Sequence, residues 1–198
     1  MKCYELLLDA MAIEAKRGNV HVGDCSRTLR MILNAGFIPK EGMLHLVMDT
    51  CAWCSRRQRC TIAEAESLWE DLGHAGLRPS TRSYDSWMAV IAGAAACGHA
   101  GVEDGVRVLD RMAADGVPAS AHTFASLMAV VAGAARHARA GPADGERILQ
   151  RYTGTAPVGA GVPATLVVYN AFLAVLAGAA SHGRASLEVS AAPGPGAP

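Results

Sequence analysis

Two cysteines three residues apart, Cys51-Ala-Trp-Cys54, have the spacing with which a pair of thiolates grips a zinc ion. A structural zinc takes four ligands, usually from two such pairs. A second pair is absent; Cys60 and His45 are the nearby residues able to complete the set. Cys51 also falls on an apolar helical stripe, where cysteine serves as a small apolar side chain. Packing without a bound metal is therefore the expected role. The six cysteines, at 3, 25, 51, 54, 60 and 97, lack the spacing of a disulfide scaffold, and no secretory signal precedes them. That combination points to a reducing compartment.

Histidines are the next candidates. His99, His137 and His182 recur at a turn and would form a loose ridge, joined by Arg136, Arg139 and Arg184. The ridge could touch phosphates, yet no carboxylate recurs beside it to tune an acid or a base, so solvated turn residues are expected. Gly154 to Gly161 is glycine-rich but has no following Lys-Ser/Thr and no preceding strand, so it fails as a phosphate loop and reads as an enlarged connection. There is no HExxH, no GxSxG and no clustered aspartate set for two-metal nuclease chemistry. The chain is expected to have no catalytic residues and no cofactor, and to act by binding.

What would position such residues follows from the composition. Half of the 198 residues are apolar but only 5% are aromatic. Ala, Val, Leu, Met and Gly supply that apolar mass, which suits closely packed helices better than a β-sandwich. Formal net charge is zero, which argues against a strong general grip on phosphates. The charge is uneven: residues 1–60 carry nine Lys/Arg against six Asp/Glu, and 61–125 carry four against nine. The first third is thus the better place for phosphate contacts, if these are more than solvated helix faces. The charge-poor runs Ser86–Val102 and Pro163–Gly183 are Ala/Gly-rich and not apolar enough for a membrane span. A helical pattern begins almost at Met1 with no basic, Ser-rich leader, leaving a cytosolic protein, a removed transit segment or a piece of a longer chain.

The chain repeats itself. SYDSWMAVIAGAAACGHAG at 83–101 returns as TFASLMAVVAGAARHARAG at 123–141 and again as VYNAFLAVLAGAASHG from 168. The anchor that starts each line falls at Tyr4, Leu44, Tyr84, Phe124 and Tyr169, with spacings of 40, 40, 40 and 45. From each anchor, apolar or small residues recur at +3, +4, +7, +8 and +11, one stripe of a 3.6-residue helix. The +8 residue is Ala in all five copies, small enough to let the next helix approach. A second stripe follows, as in Leu68, Trp69, Leu72 and Val108, Leu109, Met112; it ends on a Gly and then a Pro, such as Gly76 with Pro79. Each unit is helix, turn, helix, stop. One pair cannot bury its apolar face alone, so the fold class predicted is all-α, an α-solenoid of stacked antiparallel helix pairs. The predicted domain covers 2–183, in repeats of about 1–40, 41–80, 81–120, 121–165 and an incomplete 166–183; 184–198 is an Ala/Pro/Gly-rich tail expected to be disordered. The fifth first helix lacks a partner, so its apolar flank needs another cover.

These residues resemble a known family. The pattern YNxxLxxxxxxG, a second helix ending LxxM and then xxGVxP is similar to the pentatricopeptide repeat, most clearly in VLDRMAADGVPAS and LVVYNAFLAVLAGAASHG. The resemblance covers about residues 2–183, with units longer than the family's usual ones. The excess lies in the turn between helices, as in divergent organellar RNA-processing and ribosome-associated members, including the repeat region of protein-only RNase P. Octotricopeptide and tetratricopeptide repeats are the rival helical-pair families; Met112-x-x-x-Gly116-Val117-Pro118 favours the first.

The resemblance implies a superhelix that binds single-stranded RNA along first helices, acting on organellar transcripts in a mitochondrion or chloroplast. It also implies which residues read bases: Glu5 with Lys40, His45 with Ser80, Asp85 with Ser120, Ala125 with Thr165, and Asn170 without a clear partner. A polar side chain there can hydrogen-bond a base edge. Asn170 is a residue the family favours at that place; Ala125 cannot hydrogen-bond, and Glu5 and Asp85 would bring negative charge to a polyanion. The alternative for these positions is plain polar surface at helix starts, and for Asp85 a cap. The alternative function is a scaffold gripping other proteins or a ribonucleoprotein such as the ribosome.

Overall fold

The computed structural model describes residues 2–37, 39–155 and 166–183. Among them lie nine α-helices and no strand: α1 (Lys2–Arg17), α2 (Val22–Asn34), α3 (Glu41–Ser55), α4 (Ile62–His74), α5 (Thr81–Ala96), α6 (Val102–Ala114), α7 (Ala121–Arg136), α8 (Pro142–Thr155) and α9 (Leu166–Ala180). Thr165, Arg184 and the tail at 184–198 lie outside the described residues. α8 runs on to Thr155, so Gly154 is helical and the enlarged connection begins beyond it.

Local chemistry starts and stops these helices with the period of the sequence. An acid recurs at Asp24, Glu64, Asp104 and Asp144, the third residue of each second helix. Each carboxylate accepts the backbone N–H three residues earlier, from His21 (3.1 Å), Thr61 (2.8 Å), Gly101 (2.7 Å) and Gly141 (3.0 Å). Such bonds satisfy an amide that the helix start leaves open, and they favour negative charge at the positive end of the helix dipole. At the other end, Gly36, Gly76 and Gly116 take positive φ of 73°, 89° and 70°. The next amide then reaches back five residues: Phe37 to Ile32, Leu77 to Leu72 and Val117 to Met112, at 3.0–3.3 Å. This glycine-dependent closure is the Schellman motif.

Both apolar stripes are buried. Tyr84, Met88, Ile91, Leu127, Met128 and Val131 on the first helices, and Leu29, Ile32, Leu72 and Met112 on the second, are all within 1% of full burial. At the seam between the second and third pairs, Trp69, Tyr84 and Trp87 form an aromatic cluster with ring centroids 4.4–6.1 Å apart. First helices pack in a row, α1 on α3 on α5 on α7 on α9, while consecutive second helices barely meet. The row of first helices is therefore the inner, concave side of a solenoid. On α9, Tyr169 and Leu173 remain 49% and 60% exposed, whereas Tyr84 and Phe124, at the register of Tyr169, are buried. No helix among the described residues is long and apolar enough to cross a membrane.

Candidate nucleic-acid interface

What sets the spacing of the inner row is a residue overlooked in the repeated line. Nine residues past the anchor stand Gly93, Gly133 and Gly178. A Cβ built on Gly133 would sit 2.8 Å from the Ala95 carbonyl carbon and the Ala96 nitrogen; on Gly93 it would meet the Arg56 nitrogen at 3.0 Å. On Gly178 it would lie 3.2 Å from the Ala135 Cβ. Close approach thus rests on these glycines. The +8 alanines next to them differ in surroundings, Ala132 being buried and Ala92 only half-buried.

Close packing leaves a shallow groove across α5, α7 and α9. It measures about 470 Å³ and is floored by Ala92, Ala96, Ala129, Ala132, Ala171 and Ala174, with Arg56 and Arg136 at its rim. Arg56 and Arg136 stand twelve residues past their anchors, and Lys16 holds the same place on α1. All three are exposed. Five residues past the anchor stand Asp9 and Asp49 in the first two units and alanine in the last three. The inner face therefore combines an uncharged alanine floor with cations along one edge and two carboxylates at its N-terminal end.

In the second unit the +9 glycine is replaced by Trp53. Its indole is half-buried, with the Lys16 ammonium 5.4 Å and the Arg56 guanidinium 4.9 Å from a ring centroid. Arg56 is thus shared between the alanine groove and the indole.

Beside this edge runs a ladder of hydrogen bonds. The side chain thirteen residues past each of the last four anchors reaches the carbonyl at the end of the preceding first helix: Arg57 to Lys16 (2.6 Å), Cys97 to Arg56 (3.6 Å), His137 to Ala96 (3.0 Å) and His182 to Arg136 (2.6 Å). His137 and His182 are therefore not simply solvated turn residues, as the sequence suggested. Carbonyls at a helix end lack intrahelical donors, and these rings supply them. All three histidines are exposed, and His99 lies two residues past the ladder position.

The residues predicted to read bases divide into groups. Lys40 Nζ lies 3.6 Å from Glu5 Oε1, so that pair is brought together as an ion pair. Asp85 and Ser120 are joined through Thr123, whose hydroxyl donates to Asp85 Oδ1 at 2.6 Å and lies 3.1 Å from Ser120 Oγ. Ser120 and Ser80 are helix caps, accepting the amides of Thr123 (3.1 Å) and Ser83 (3.5 Å). Asp85 does not cap its own helix; it bonds to the cap of the next first helix. Burial pushes its carboxyl above the ordinary range, and the Thr123 hydroxyl partly offsets this. Ala125 is buried, His45 is half-buried and Asn170 is exposed.

The cysteines gather more closely than sequence spacing shows. Cys25 on α2 joins Cys51 and Cys54 on α3 and Cys60 in the turn before α4, all four buried as free thiols. Burial pushes the Cys25 thiol up to about 12 and the Cys54 thiol up to about 11. Cys51 is raised by its hydrogen bond with Cys60 and by burial. Protonated thiols at neutral pH act as apolar packing. Among the described residues no group of three or more His, Cys, Asp and Glu side chains is arranged to hold a metal ion.

The described architecture is that of a helical-repeat solenoid with a concave row of first helices. Among solved structures it is similar to the pentatricopeptide repeat protein PPR10 in complex with an 18-nt psaJ RNA element: TM-score 0.53 and 20% identity, over 91% of this chain and 21% of that one. A triple Cys-to-Ser form of PPR10 with the same RNA element gives the same values. This chain spans about a fifth of the length of the protein it matches. The likeness confirms the expected fold, an α-solenoid of pentatricopeptide-repeat type. No protein-family model and no curated protein matches the sequence.

Proposed function

We propose that this chain binds single-stranded RNA along its concave row of first helices and acts as a binder rather than an enzyme. The observation that carries the reading is the cationic edge of Lys16, Arg56 and Arg136 at one register of the first helices, with Arg56 and Arg136 at the rim of the alanine groove. Single-strand binders combine such an edge with a surface that tolerates any base. PPR10, which has the same type of fold, is seen in complex with RNA. Resemblance to organellar repeat proteins makes a mitochondrial or chloroplast transcript the target class, with processing, stability or translation as the role. Glu5, Lys40, His45, Ser80, Asp85, Ser120, Ala125, Thr165 and Asn170 stand as the base-contact candidates.

A second reading has its own support. An alanine floor without charge fits a protein segment, as a scaffold or ribonucleoprotein subunit would require. Titration with a labelled random-sequence 20-nt RNA at two salt concentrations separates them. Micromolar or tighter binding that weakens with salt is expected, because neutralised phosphates release counterions. Absence of binding at low salt would leave the scaffold.

A further inference from the structure

Trp53 packs against the edge of the core, at a register that later units fill differently. In the third, fourth and fifth units the same register is glycine, and the glycine lets first helices touch. Trp53 stands at that register in the second unit, and α1 and α3 meet over fewer residues than the later pairs of first helices do. Its indole stays half-buried, whereas the other described tryptophans, Trp69 and Trp87, are buried at 4% and 3% exposure. Lys16 and Arg56, both exposed, lie over it from the ends of those two helices.

A partly accessible aromatic ring beside two cations suits one point on the path of a single strand of nucleic acid. Every base has a π-face, so stacking on an indole requires no particular sequence, and adjacent cations take the flanking phosphates. The polar groups of two predicted base-reading pairs are engaged within the protein, Glu5 with Lys40 and Asp85 with Ser120 through Thr123. Ala125 has no polar side-chain atom. With these groups engaged or apolar, stacking and charge contribute to grip beside any contact with base edges.

We propose that Trp53, half-buried with Lys16 and Arg56 over its ring, is a stacking platform for one base of a bound single-stranded RNA. This rests on the RNA-binding reading and adds a specific contact to it. In a complex, the base lies on the indole, displacing a cation from above it, and that cation moves to the neighbouring phosphate.

The test uses the intact chain with labelled oligo(U) and oligo(A) 20-mers, read by anisotropy and by intrinsic fluorescence. With only Trp53 accessible, bound RNA should quench part of the tryptophan emission and shield it from acrylamide. Trp53→Ala should weaken binding of both oligomers by at least about fivefold, the loss of one base–aromatic stack, and abolish the quenching. Trp53→Phe, which keeps a ring, should bind within about threefold of the native chain. Native protein that binds RNA with unchanged emission and unchanged acrylamide access overturns the platform, and this readout needs no variant to fold. Trp53→Ala that retains its helical circular dichroism and binds within twofold also overturns it, while leaving the RNA reading intact. Failure of the native chain to bind either oligomer at low salt overturns the RNA reading and the platform with it.

Discussion

His137 Nε2 lies 3.0 Å from the carbonyl oxygen of Ala96, the last residue of α5, forty-one residues earlier in the chain. His182 repeats the relationship one unit on, 2.6 Å from the Arg136 carbonyl at the end of α7. A carbonyl can only accept, so both rings carry their proton on Nε2 here. Each ring thus joins consecutive units at a point where helix packing is already complete.

Replacing His137 with Ala is expected to cost roughly 0.5–1 kcal/mol, the net worth of one exposed hydrogen bond. His182→Ala should cost a similar amount. Thermal melts of the two single variants and the double variant check this. The sites lie on different seams, so the losses should add to within about 0.5 kcal/mol. An unchanged melting temperature in the double variant would show that the ladder is incidental.

Gly133→Ala tests the close approach of first helices. The new Cβ would sit 2.8 Å from backbone atoms of Ala95 and Ala96, which no rotamer change can move. A loss of about 1–3 kcal/mol is expected from overpacking, or roughly 2–4 °C of melting temperature per kcal/mol. Gly73→Ala is the control, because nothing lies within 4 Å of its added carbon. That change in α4 should stabilise by about 0.5 kcal/mol through helix propensity. Equal effects of the two substitutions would refute a special role for the +9 register.

How much of this was legible in the sequence depends on what each feature shares with its copies. The stripes through Tyr84, Met88 and Ile91 and their counterparts repeat residue class and spacing together, so helices, pairing and solenoid could be read directly. Gly93 and Gly133 hide inside an AGAA run, where glycine looks like one more small residue until the neighbouring backbone is in place. The ladder position holds Arg57, Cys97, His137 and His182: the geometry repeats but the chemistry does not. Cys25 stands twenty-six residues before Cys51, on another helix, and only stacking of the first two pairs brings them together. Trp53 sat inside a cysteine pair that drew notice to metal chemistry, and its role depends on Lys16 of the preceding helix.

Asp85→Asn should make the protein more stable at neutral pH and leave it unchanged at pH 3. The Asp85 carboxyl is held above its ordinary range by burial, so the folded state favours the protonated form. At low pH both folded and unfolded chains carry that proton and the group contributes nothing. As pH rises past the ordinary carboxylate range, the unfolded chain ionises more readily than the folded one, and wild-type stability falls relative to the asparagine variant. Asparagine can still accept from the Thr123 hydroxyl, which now donates to Asp85 Oδ1 at 2.6 Å. Urea titrations of both proteins from pH 3 to pH 7 read the difference; parallel curves would mean that Asp85 ionises as freely as in the unfolded chain.

Thiol chemistry separates the cysteine cluster from a metal or redox centre. Cys3 is exposed and Cys97 partly so, whereas Cys25, Cys51, Cys54 and Cys60 are buried. Reaction with a disulfide reagent needs both access and the thiolate, and the Cys25 and Cys54 thiols, pushed up to about 12 and about 11, are almost wholly protonated at pH 8. Native protein at pH 8 should therefore titrate Cys3 promptly and Cys97 slowly, and release the signal of the other four only in denaturant. Exposure sets the order of the first phase, and burial keeps the other four silent until the chain unfolds. Prompt reaction of three or more thiols in the native state would mean that the seam between the first two helix pairs opens. Stoichiometric zinc in the purified protein would mean that the four sulfurs are ionised, and would overturn their role as apolar packing.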